Sequence, residues 1–180
     1  MNEELLKCFN ENGALIESKM RSEVHKKPLT IWHGVVGIWI CNLNGKLLCT
    51  KRSSTSEGNP GKWQTYLGGH VLYNQTFEET AIRELREEIG LDVKISDLNL
   101  VISDKRNDCM HVFKMYSFVL KEDDLGKLKF IDNEISDSKW LSFEEYLTSK
   151  NSDPDNWCNN INEDQYVVLI NVIKEKSYHD

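Results

Sequence analysis

Residues 67–91 read LGGHVLYNQTFEETAIRELREEIGL, and this stretch contains a helix with clear signals at both ends. Thr76 is a favourable N-cap residue and Glu79 follows three residues later, which is the capping-box pattern. Gly90 is a signal for the end of the helix. Apolar residues recur every four positions between these signals, at Phe77, Ala81, Leu85 and Ile89. This stripe predicts a helix that packs one face against a core.

The same helix carries Glu84, Glu87 and Glu88 at spacings i, i+3 and i+4, which place their side chains in one sector of the helix. Three carboxylates there repel one another and weaken an isolated helix. A divalent cation removes this penalty, because Mg²⁺ and Mn²⁺ prefer oxygen ligands. A solvated acidic face is the alternative. The glycines at the two ends, Gly69 and Gly90, favour the cation site.

The spacing resembles the Nudix box, which is a glycine, five residues, a glutamate, seven residues and then Arg-Glu-U-x-Glu-Glu-x-Gly-U, with U a bulky aliphatic residue. Residues 69–91 match eight of the nine specified positions. The matching residues are Gly69, Arg83, Glu84, Leu85, Glu87, Glu88, Gly90 and Leu91. The ninth position holds Gln75, where the family has its first glutamate. Because an amide accepts a hydrogen bond but carries no charge, the core metal set is kept while its supporting residues are altered.

The resemblance implies an α/β fold, an α/β/α sandwich with a mixed β-sheet. It also implies hydrolysis of a nucleoside diphosphate linked to another group X, with Mg²⁺ as cofactor and Mn²⁺ as an alternative. The implied metal ligands are Glu84, Glu87 and Glu88, with the carbonyl of Gly69 as a further ligand. Arg83 is expected to orient the glutamates rather than to touch the substrate. The expected partner is a small nucleotide or diphosphate substrate.

A further glutamate is a candidate for the catalytic site. Glu134 lies six residues before Trp140, a spacing at which many family members carry a glutamate that supports a second metal or acts as a base. An ordinary loop acid is the alternative, because this motif is loose. Either Glu87 or Glu134 is expected to take a proton from the attacking water. The candidate catalytic residues are Glu84, Glu87, Glu134 and Arg83.

Composition limits the other classes of function. The 180 residues suffice for one sizeable domain and are few for two, so we predict a single domain over 1–180. No apolar run is long enough to span a membrane, and the first residues lack the features of a signal peptide. Five scattered cysteines without a C-x-x-C pair indicate free thiols and a cytoplasmic location. The net charge of −7 disfavours an extended nucleic-acid surface. The family resemblance leaves a homodimer open.

Two hairpins are predicted before the box. Residues 5–20 contain two candidate strands around Asn12-Gly13, which is a short-turn signal. Residues 33–41 and 46–51 flank Asn44-Gly45 and are nearly continuous in apolar residues. Such runs are expected for strands that are covered on both faces.

A polar loop over residues 51–63 carries cations that could receive substrate phosphates. These candidate substrate-binding residues are Lys51, Arg52 and Lys62, and solvated loop cations are the alternative. The residues K-R-S at the start of this loop (51–53) and P-G-K-W at its end (60–63) resemble one Nudix subgroup. This subgroup includes hydrolases of uncertain substrate and the isopentenyl diphosphate isomerases, and R-S-E-V-H at 21–25 is similar to the same subgroup.

Two alternatives to hydrolysis remain. The isomerase resemblance implies a catalytic cysteine just before the glycine-histidine pair, where this chain has Gly68. Cys49 and Cys109 lie on other predicted strands, and the isomerase box is usually degenerate, whereas all three metal-site glutamates are present here. The second alternative is a nucleotide-binding sensor that does not cleave its ligand, which Gln75 leaves open.

The chain after the box predicts three strands and two helices. The strands are expected at 98–103, 110–120 and 135–141. His111 on the second of these is expected to lie on a packed or partly exposed strand face rather than to bind metal. Ser142 and Glu145 form a capping box for a helix to about residue 150. Residues 162–176 predict a last helix that covers the sheet.

Overall fold

The computed structural model describes residues 3–130, 133–158 and 162–177. The strands in this part of the chain are β1 (Leu5–Leu6), β2 (Cys8–Phe9), β3 (Lys19–Met20), β4 (Trp32–Asn42), β5 (Leu47–Arg52), β6 (Trp63–Gln64), β7 (Leu98–Arg106), β8 (His111–Leu120) and β9 (Ile135–Leu141). The α-helices are α1 (Arg21–Val24), α2 (Phe77–Ile89), α3 (Glu122–Leu125), α4 (Phe143–Ser152) and α5 (Glu163–Ser177).

A mixed sheet of seven strands organises the molecule. Its main path has the order β6-β5-β4-β8-β7, with β2 also paired to β4 and β9 also paired to β5. The central strands β4 and β8 are parallel, in a register from His33 opposite His111 to Asn42 opposite Leu120. The other pairs in this sheet are antiparallel. A parallel pair needs a long crossover, and the crossover here contains α2.

Both faces of this sheet are covered, as β4 shows. Val36, Ile38 and Ile40 lie in one core, whereas Trp39 and Cys41 lie in the other. Because successive strand residues point to opposite faces, the two cores are on opposite sides of the sheet. The helical residues in these cores are Ala81, Leu85 and Ile89 of α2 on the first side, and Tyr146 of α4 with Leu169 and Ile173 of α5 on the second. The predicted α/β/α sandwich with a mixed sheet is confirmed.

Helix α2 begins and ends at the residues that the sequence indicated. The Thr76 hydroxyl accepts a hydrogen bond from the Glu79 amide at 3.1 Å, and the Glu79 carboxylate accepts one from the Thr76 amide at 2.7 Å. Gly90 ends the helix in the left-handed region, at φ 71°. An N-cap of this kind stabilises a helix by about 1 kcal/mol. The buried stripe adds more, because burying one large aliphatic side chain contributes about 2 kcal/mol.

The N-terminal segment attaches α1 to the sheet. Strands β1 and β3 pair antiparallel, with Leu5 opposite Met20, and α1 follows β3 directly. Strand β2 instead joins the central sheet, with Cys8 opposite His33 on β4. The Lys7 backbone is bonded on both sides, because its amide donates to the carbonyl of Val71 and its carbonyl accepts from the Gly34 amide. These bonds hold the end of α1 beside the loop before α2.

The second half of the chain departs from expectation mainly at β7. The sequence predicted a strand over 98–103, but β7 continues to Arg106 because it pairs with β8 as far as His111. Strand β9 has the predicted bounds, and α4 has its predicted capping box at Ser142. Helix α5 is capped by reciprocal hydrogen bonds between Asn162 and Gln165. Each helix in the described residues is too short or too polar to cross a bilayer.

Candidate active site

The three box glutamates, which we call the glutamate cluster (Glu84, Glu87 and Glu88), differ in burial. Glu84 and Glu88 are 8% and 5% exposed, whereas the Glu87 side chain is about half exposed. Glu88 accepts a hydrogen bond from the amide of Gly68 at 3.2 Å. The helix therefore buries two carboxylates against the loop before it and leaves the third facing outward.

The glycine pair lets this loop approach the helix. A Cβ atom at Gly69 would lie 2.0 Å from a carboxylate oxygen of Glu84. A Cβ atom at Gly68 would lie 2.1 Å from the carbonyl oxygen of Val36. Both distances are far shorter than any stable contact. A side chain at Gly68 would therefore displace backbone, and one at Gly69 would displace the Glu84 carboxylate. The carbonyl of Gly69, predicted as a metal ligand, accepts a hydrogen bond from the Val36 amide at 2.9 Å. A carbonyl oxygen has a second lone pair, which leaves ligation sterically and chemically feasible.

Arg83 links the glutamate cluster to the loop. Its Nη2 donates to Glu84 at 2.6 Å, and its Nη1 donates to Glu87 at 2.6 Å. The same Nη2 lies 3.3 Å from the carbonyl oxygen of His70, to which it also donates. Among the described residues, the ion pairs of Glu84 and Glu87 are both with Arg83. This arrangement is the one expected of a residue that orients the glutamates.

The pKa of Glu84 is raised to about 7, mainly by burial; the carboxylates of Glu87 and Glu134 also act to raise it, and Arg83 acts to lower it. The effect of Glu134 places this loop residue in the electrostatic neighbourhood of the cluster. Its backbone carbonyl accepts a hydrogen bond from the Ser53 amide at 2.7 Å, which fixes the start of β9 beside the polar loop. A cation bound between these carboxylates would favour the ionised form of Glu84.

The loop cations are not gathered around the glutamate cluster. Arg52 donates from Nε to the Gly58 carbonyl at 2.6 Å and from Nη1 to Gln64 at 3.3 Å, so it holds the loop together. Lys51 follows Cys49 to the face opposite α2, where its Nζ lies 5.9 Å from the ring centroid of Trp63. The backbone carbonyl of Lys62 accepts from the Arg52 amide at 2.9 Å, which places Lys62 at the base of the same loop.

Carboxylates of α2 and the backbone of the preceding loop meet in this part of the site. Glu84 and Glu87 are held by one guanidinium, Glu88 is held by the Gly68 amide, and the Gly69 backbone lies against Glu84. Oxygen donors with several negative charges suit Mg²⁺ or Mn²⁺. The residues present therefore fit a hard divalent cation.

A second group of ligand-type side chains lies on the other side of the Gly69-His70 peptide. We call it the histidine cluster, and it consists of His25, His33 and His70, with one ring nitrogen from each within 4.8 Å of the others. The Nε2 atoms of His25 and His70 are 3.1 Å apart. His111 is the strand partner of His33, and their ring centroids are 4.7 Å apart. His111 therefore lies on a partly buried strand face, beside the cluster rather than among its three converging nitrogens.

The histidines are held in their neutral form. Burial lowers the pKa values of His33 and His111 to about 4 and lowers that of His70 further. The Nδ1 of His33 lies 3.3 Å from the carbonyl of Ile31, so Nδ1 carries the hydrogen and Nε2 has a free lone pair. That Nε2 is buried without a hydrogen-bond partner. Neutral imidazole nitrogens with free lone pairs are ligands for zinc, copper, iron and nickel.

No local spacing in the sequence indicated the histidine cluster. Its members come from the end of α1, from β4 and from the loop before α2, and no short spacing joins them. Two structural facts bring them together. His33 lies on the strand to which β2 attaches the N-terminal segment, and His70 forms an isolated bridge with Val35 on the same strand. Both facts depend on strand register, which a single sequence does not fix.

The fold and the carboxylates in the C-terminal half of α2 define a class of α/β/α proteins in which one helix carries clustered glutamates. A family model described as the NUDIX domain matches residues 32–159. The chain belongs to this family.

The chain is also similar to individual proteins and to a solved structure. The chain is 35% identical over 101 residues to an uncharacterised Nudix hydrolase of Clostridium acetobutylicum, a match that covers 54% of this chain and 48% of that protein. The chain thus spans about half the length of that relative. It is 39% identical over 69 residues to an isopentenyl-diphosphate Delta-isomerase of Salmonella paratyphi B, which covers 38% of this chain and 37% of the isomerase. A crystal structure from Deinococcus radiodurans has a TM-score of 0.65 at 27% identity, covering 83% of this chain and 90% of that chain.

Proposed function

We propose that this protein is a Mg²⁺-dependent hydrolase that cleaves a phosphoric anhydride bond in a nucleoside diphosphate linked to another group X. Mn²⁺ is the alternative cation. The observation that carries the proposal is the glutamate cluster held in place by Arg83 and by the Gly68-Gly69 backbone. Buried carboxylates in such a cluster repel one another, and a divalent cation relieves that repulsion.

The chain's own residues divide the work. Glu84, Glu87 and Glu88 would hold the cation, with the carbonyl of Gly69 as a further ligand. Bound Mg²⁺ supplies charge neutralisation for the pyrophosphate and a lower pKa for water. Arg83 fixes the positions of Glu84 and Glu87. The attacking water loses its proton to one carboxylate, and Glu87 and Glu134 are the two candidates.

The loop between β5 and β6 is the proposed rim for substrate phosphates. Lys51, Arg52 and Lys62 supply its positive charge, and Lys51, which lies beside Trp63 on the face opposite α2, must turn to reach a phosphate at the glutamate cluster. Arg52 is bonded to Gly58 and Gln64, so its part is to hold the loop in shape. We also propose a single domain and a cytoplasmic location, in keeping with five cysteines that form no disulfide in the described residues: Cys8, Cys41, Cys49, Cys109 and Cys158. A homodimer remains compatible with the proposal.

The isomerase alternative meets a steric obstacle. Its catalytic cysteine would replace Gly68, where any Cβ atom lies 2.1 Å from the carbonyl oxygen of Val36. Cys49 does not substitute for it, because burial raises the pKa of its thiol to about 12. Since the thiolate is the reactive form, Cys49 is inert near neutral pH. A sensor that binds a nucleotide without cleaving it is the remaining alternative.

The decisive experiment measures phosphate and nucleotide release from a substrate panel. The panel holds NTPs, dNTPs, nucleotide sugars, dinucleotide cofactors and isopentenyl diphosphate, each with Mg²⁺, with Mn²⁺ and with chelator. Metal-dependent cleavage that is lost in Glu87→Gln supports the hydrolase and begins to name X. Isomerisation of isopentenyl diphosphate would support the isomerase. No cleavage of any compound, with thermal stabilisation by a nucleotide, would support the sensor.

A further inference from the structure

The residue that departs from the box pattern occupies a specific place in the site. The side-chain carbonyl of Gln75 accepts a hydrogen bond from Arg83 Nε at 3.2 Å. It also lies 3.1 Å from the Thr80 hydroxyl, whose one hydrogen is shared between this oxygen and the Thr76 carbonyl at 2.9 Å. Its main chain is also fixed, because the amide donates to the Leu72 carbonyl at 3.0 Å and the carbonyl accepts from the ammonium group of Lys7. Gln75 is therefore anchored on both sides and presents one oxygen to Arg83.

This bond determines how Arg83 faces the glutamates. A guanidinium is a rigid planar fork with five N–H donors. Nε donates to Gln75, and the two terminal nitrogens donate to Glu87 and Glu84 at 2.6 Å each. Gln75 thus holds the Nε end of the fork while Nη1 and Nη2 hold two members of the glutamate cluster.

The charge of residue 75 also matters. Glu84, Glu87 and Glu88 with Arg83 carry a formal charge of −2 when all are ionised. A glutamate at position 75 would make this −3 and would compete with Glu84 and Glu87 for the guanidinium. Neutral Gln75 accepts the same hydrogen bond without that competition. With Gln75 the cluster has one negative charge fewer, and Arg83 stays paired with Glu84 and Glu87. Both effects lower the attraction of the glutamate cluster for a cation.

We propose that Gln75 is the positioning residue for Arg83 and that its neutral amide lowers the affinity of the glutamate cluster for a divalent cation. This inference rests on the proposed function of that cluster as a cation site. It does not depend on which nucleotide is cleaved, so the two can be tested separately.

Two variants separate the hydrogen bond from the charge. Gln75→Leu removes the acceptor and keeps the size, whereas Gln75→Glu keeps the acceptor and adds a charge. The matched controls are Gln165→Leu and Gln165→Glu, because Gln165 also accepts a hydrogen bond at a helix start but lies on α5, which covers the opposite face of the sheet. Mg²⁺ is the titrant for calorimetry, since it prefers oxygen ligands and so reports on the glutamate cluster rather than the histidine cluster.

The expected results differ between the variants. Gln75→Glu binds Mg²⁺ about three- to tenfold more tightly and keeps kcat within about threefold. Gln75→Leu lowers kcat about tenfold, because losing an outer partner of a ligand set costs 10- to 100-fold. It also moves the Arg83 Nε–Hε resonance in the nitrogen-15 NMR spectrum, a signal assigned from its loss in Arg83→Lys. The Gln165 controls change neither Mg²⁺ affinity nor that resonance.

The outcomes that overturn the inference are equally specific. If the Arg83 resonance does not move in folded Gln75→Leu, Gln75 does not position Arg83. An unchanged Mg²⁺ affinity in Gln75→Glu removes the charge effect. If no compound is hydrolysed but the resonance and the Mg²⁺ affinity change as expected, the proposed hydrolysis fails while the inference about Gln75 stands.

Discussion

The glutamate cluster and the histidine cluster lie on either side of the Gly69-His70 peptide, yet they are built in opposite ways. The glutamates come from two turns of one helix, carry charge and are bridged by Arg83. The histidines come from three separate segments, are neutral, and are held by strand register. One peptide thus separates a set of hard oxygen donors from a set of imidazole nitrogens, and the two sets prefer different cations.

The two clusters also share a physical connection. Arg83 Nη2 donates to Glu84 and to the carbonyl of His70. The guanidinium therefore fixes the loop from which His70 projects as well as the helix that carries the glutamates. Separate variants in each cluster can show whether the two act independently.

The largest effect is expected from Glu87→Gln. This change keeps the size of the side chain and removes one negative charge from the proposed cation site. We expect kcat for any hydrolysed substrate to fall about a thousandfold, the range expected when a ligand or proton acceptor at the reacting centre is lost. The measurement is steady-state hydrolysis with saturating Mg²⁺.

The matched control for this prediction is Glu144→Gln. Glu144 is an exposed glutamate in the first turn of α4, on the face of the sheet opposite α2. Its loss should leave kcat within about twofold, as expected for a surface substitution. If Glu87→Gln had the same kcat as the native protein, the glutamate cluster would not take part in the reaction as proposed.

The next largest effect is expected from Gly69→Ala. The added Cβ atom would lie 2.0 Å from a Glu84 oxygen, so Glu84 or the loop must move. We expect kcat to fall about a hundredfold, since a displacement of about 1 Å at a reacting centre has effects of this size. Gly126→Ala is the control, because a Cβ there meets nothing within 4 Å. Unchanged hydrolysis in Gly69→Ala would mean that the loop need not touch Glu84.

The contrast between the clusters also explains what the sequence could predict. The caps of α2, its apolar stripe and the sector of Glu84, Glu87 and Glu88 depend on residues within one helix, and local spacing determines them. The α/β/α sandwich was predicted from the resemblance of residues 69–91 to the Nudix box. The apolar runs at 33–41 and 46–51 also indicated strands that are covered on both faces.

The unpredicted features depend on contacts between distant segments. The spacing to Trp140 indicated Glu134, but its effect on Glu84 arises only when the start of β9 lies beside the loop after β5. Lys51, Arg52 and Lys62 were predicted as phosphate-binding cations of one polar loop, and the position of Lys51 beside Trp63 depends on the strand pairing of β5. The histidine cluster requires the register of β2 and β4, which no local pattern encodes.

A third prediction uses the opposite pH dependence of the two clusters in chelator-treated protein. Burial lowers the folded-state pKa of His33 to about 4, below an unfolded value of about 6.5. The unfolded state therefore binds more protons between these values, and His33 costs about 2 kcal/mol of stability when the pH falls from 8 to 5. Burial raises the folded-state pKa of Glu84 to about 7, so its contribution is present at pH 5 and lost as the pH rises through 7.

Urea unfolding at pH 8 and pH 5 tests these signs. Relative to the native protein, His33→Gln should gain about 2 kcal/mol at pH 5 compared with pH 8, whereas Glu84→Gln should lose about 2 kcal/mol. Glu144→Gln, a change at an exposed residue of α4, is the control and should follow the native protein. If the free energy of unfolding changed between pH 8 and pH 5 with the same sign in His33→Gln and Glu84→Gln, the opposite pKa shifts of His33 and Glu84 would be contradicted.

The smallest effect, and the sharpest separation of the two clusters, is expected in cation preference. Tetrahedral coordination at about 2.0 Å places ligand nitrogens roughly 3.3 Å apart, and the histidine nitrogens already lie within 4.8 Å of one another. Co²⁺ binding, followed by its visible absorption, should weaken about tenfold in His25→Gln, while the affinity for Mg²⁺ stays the same. Glu87→Gln should show the reverse pattern. If His25→Gln weakened both cations equally, the clusters would form one site, and Arg83 with its bond to His70 would be the connection between them.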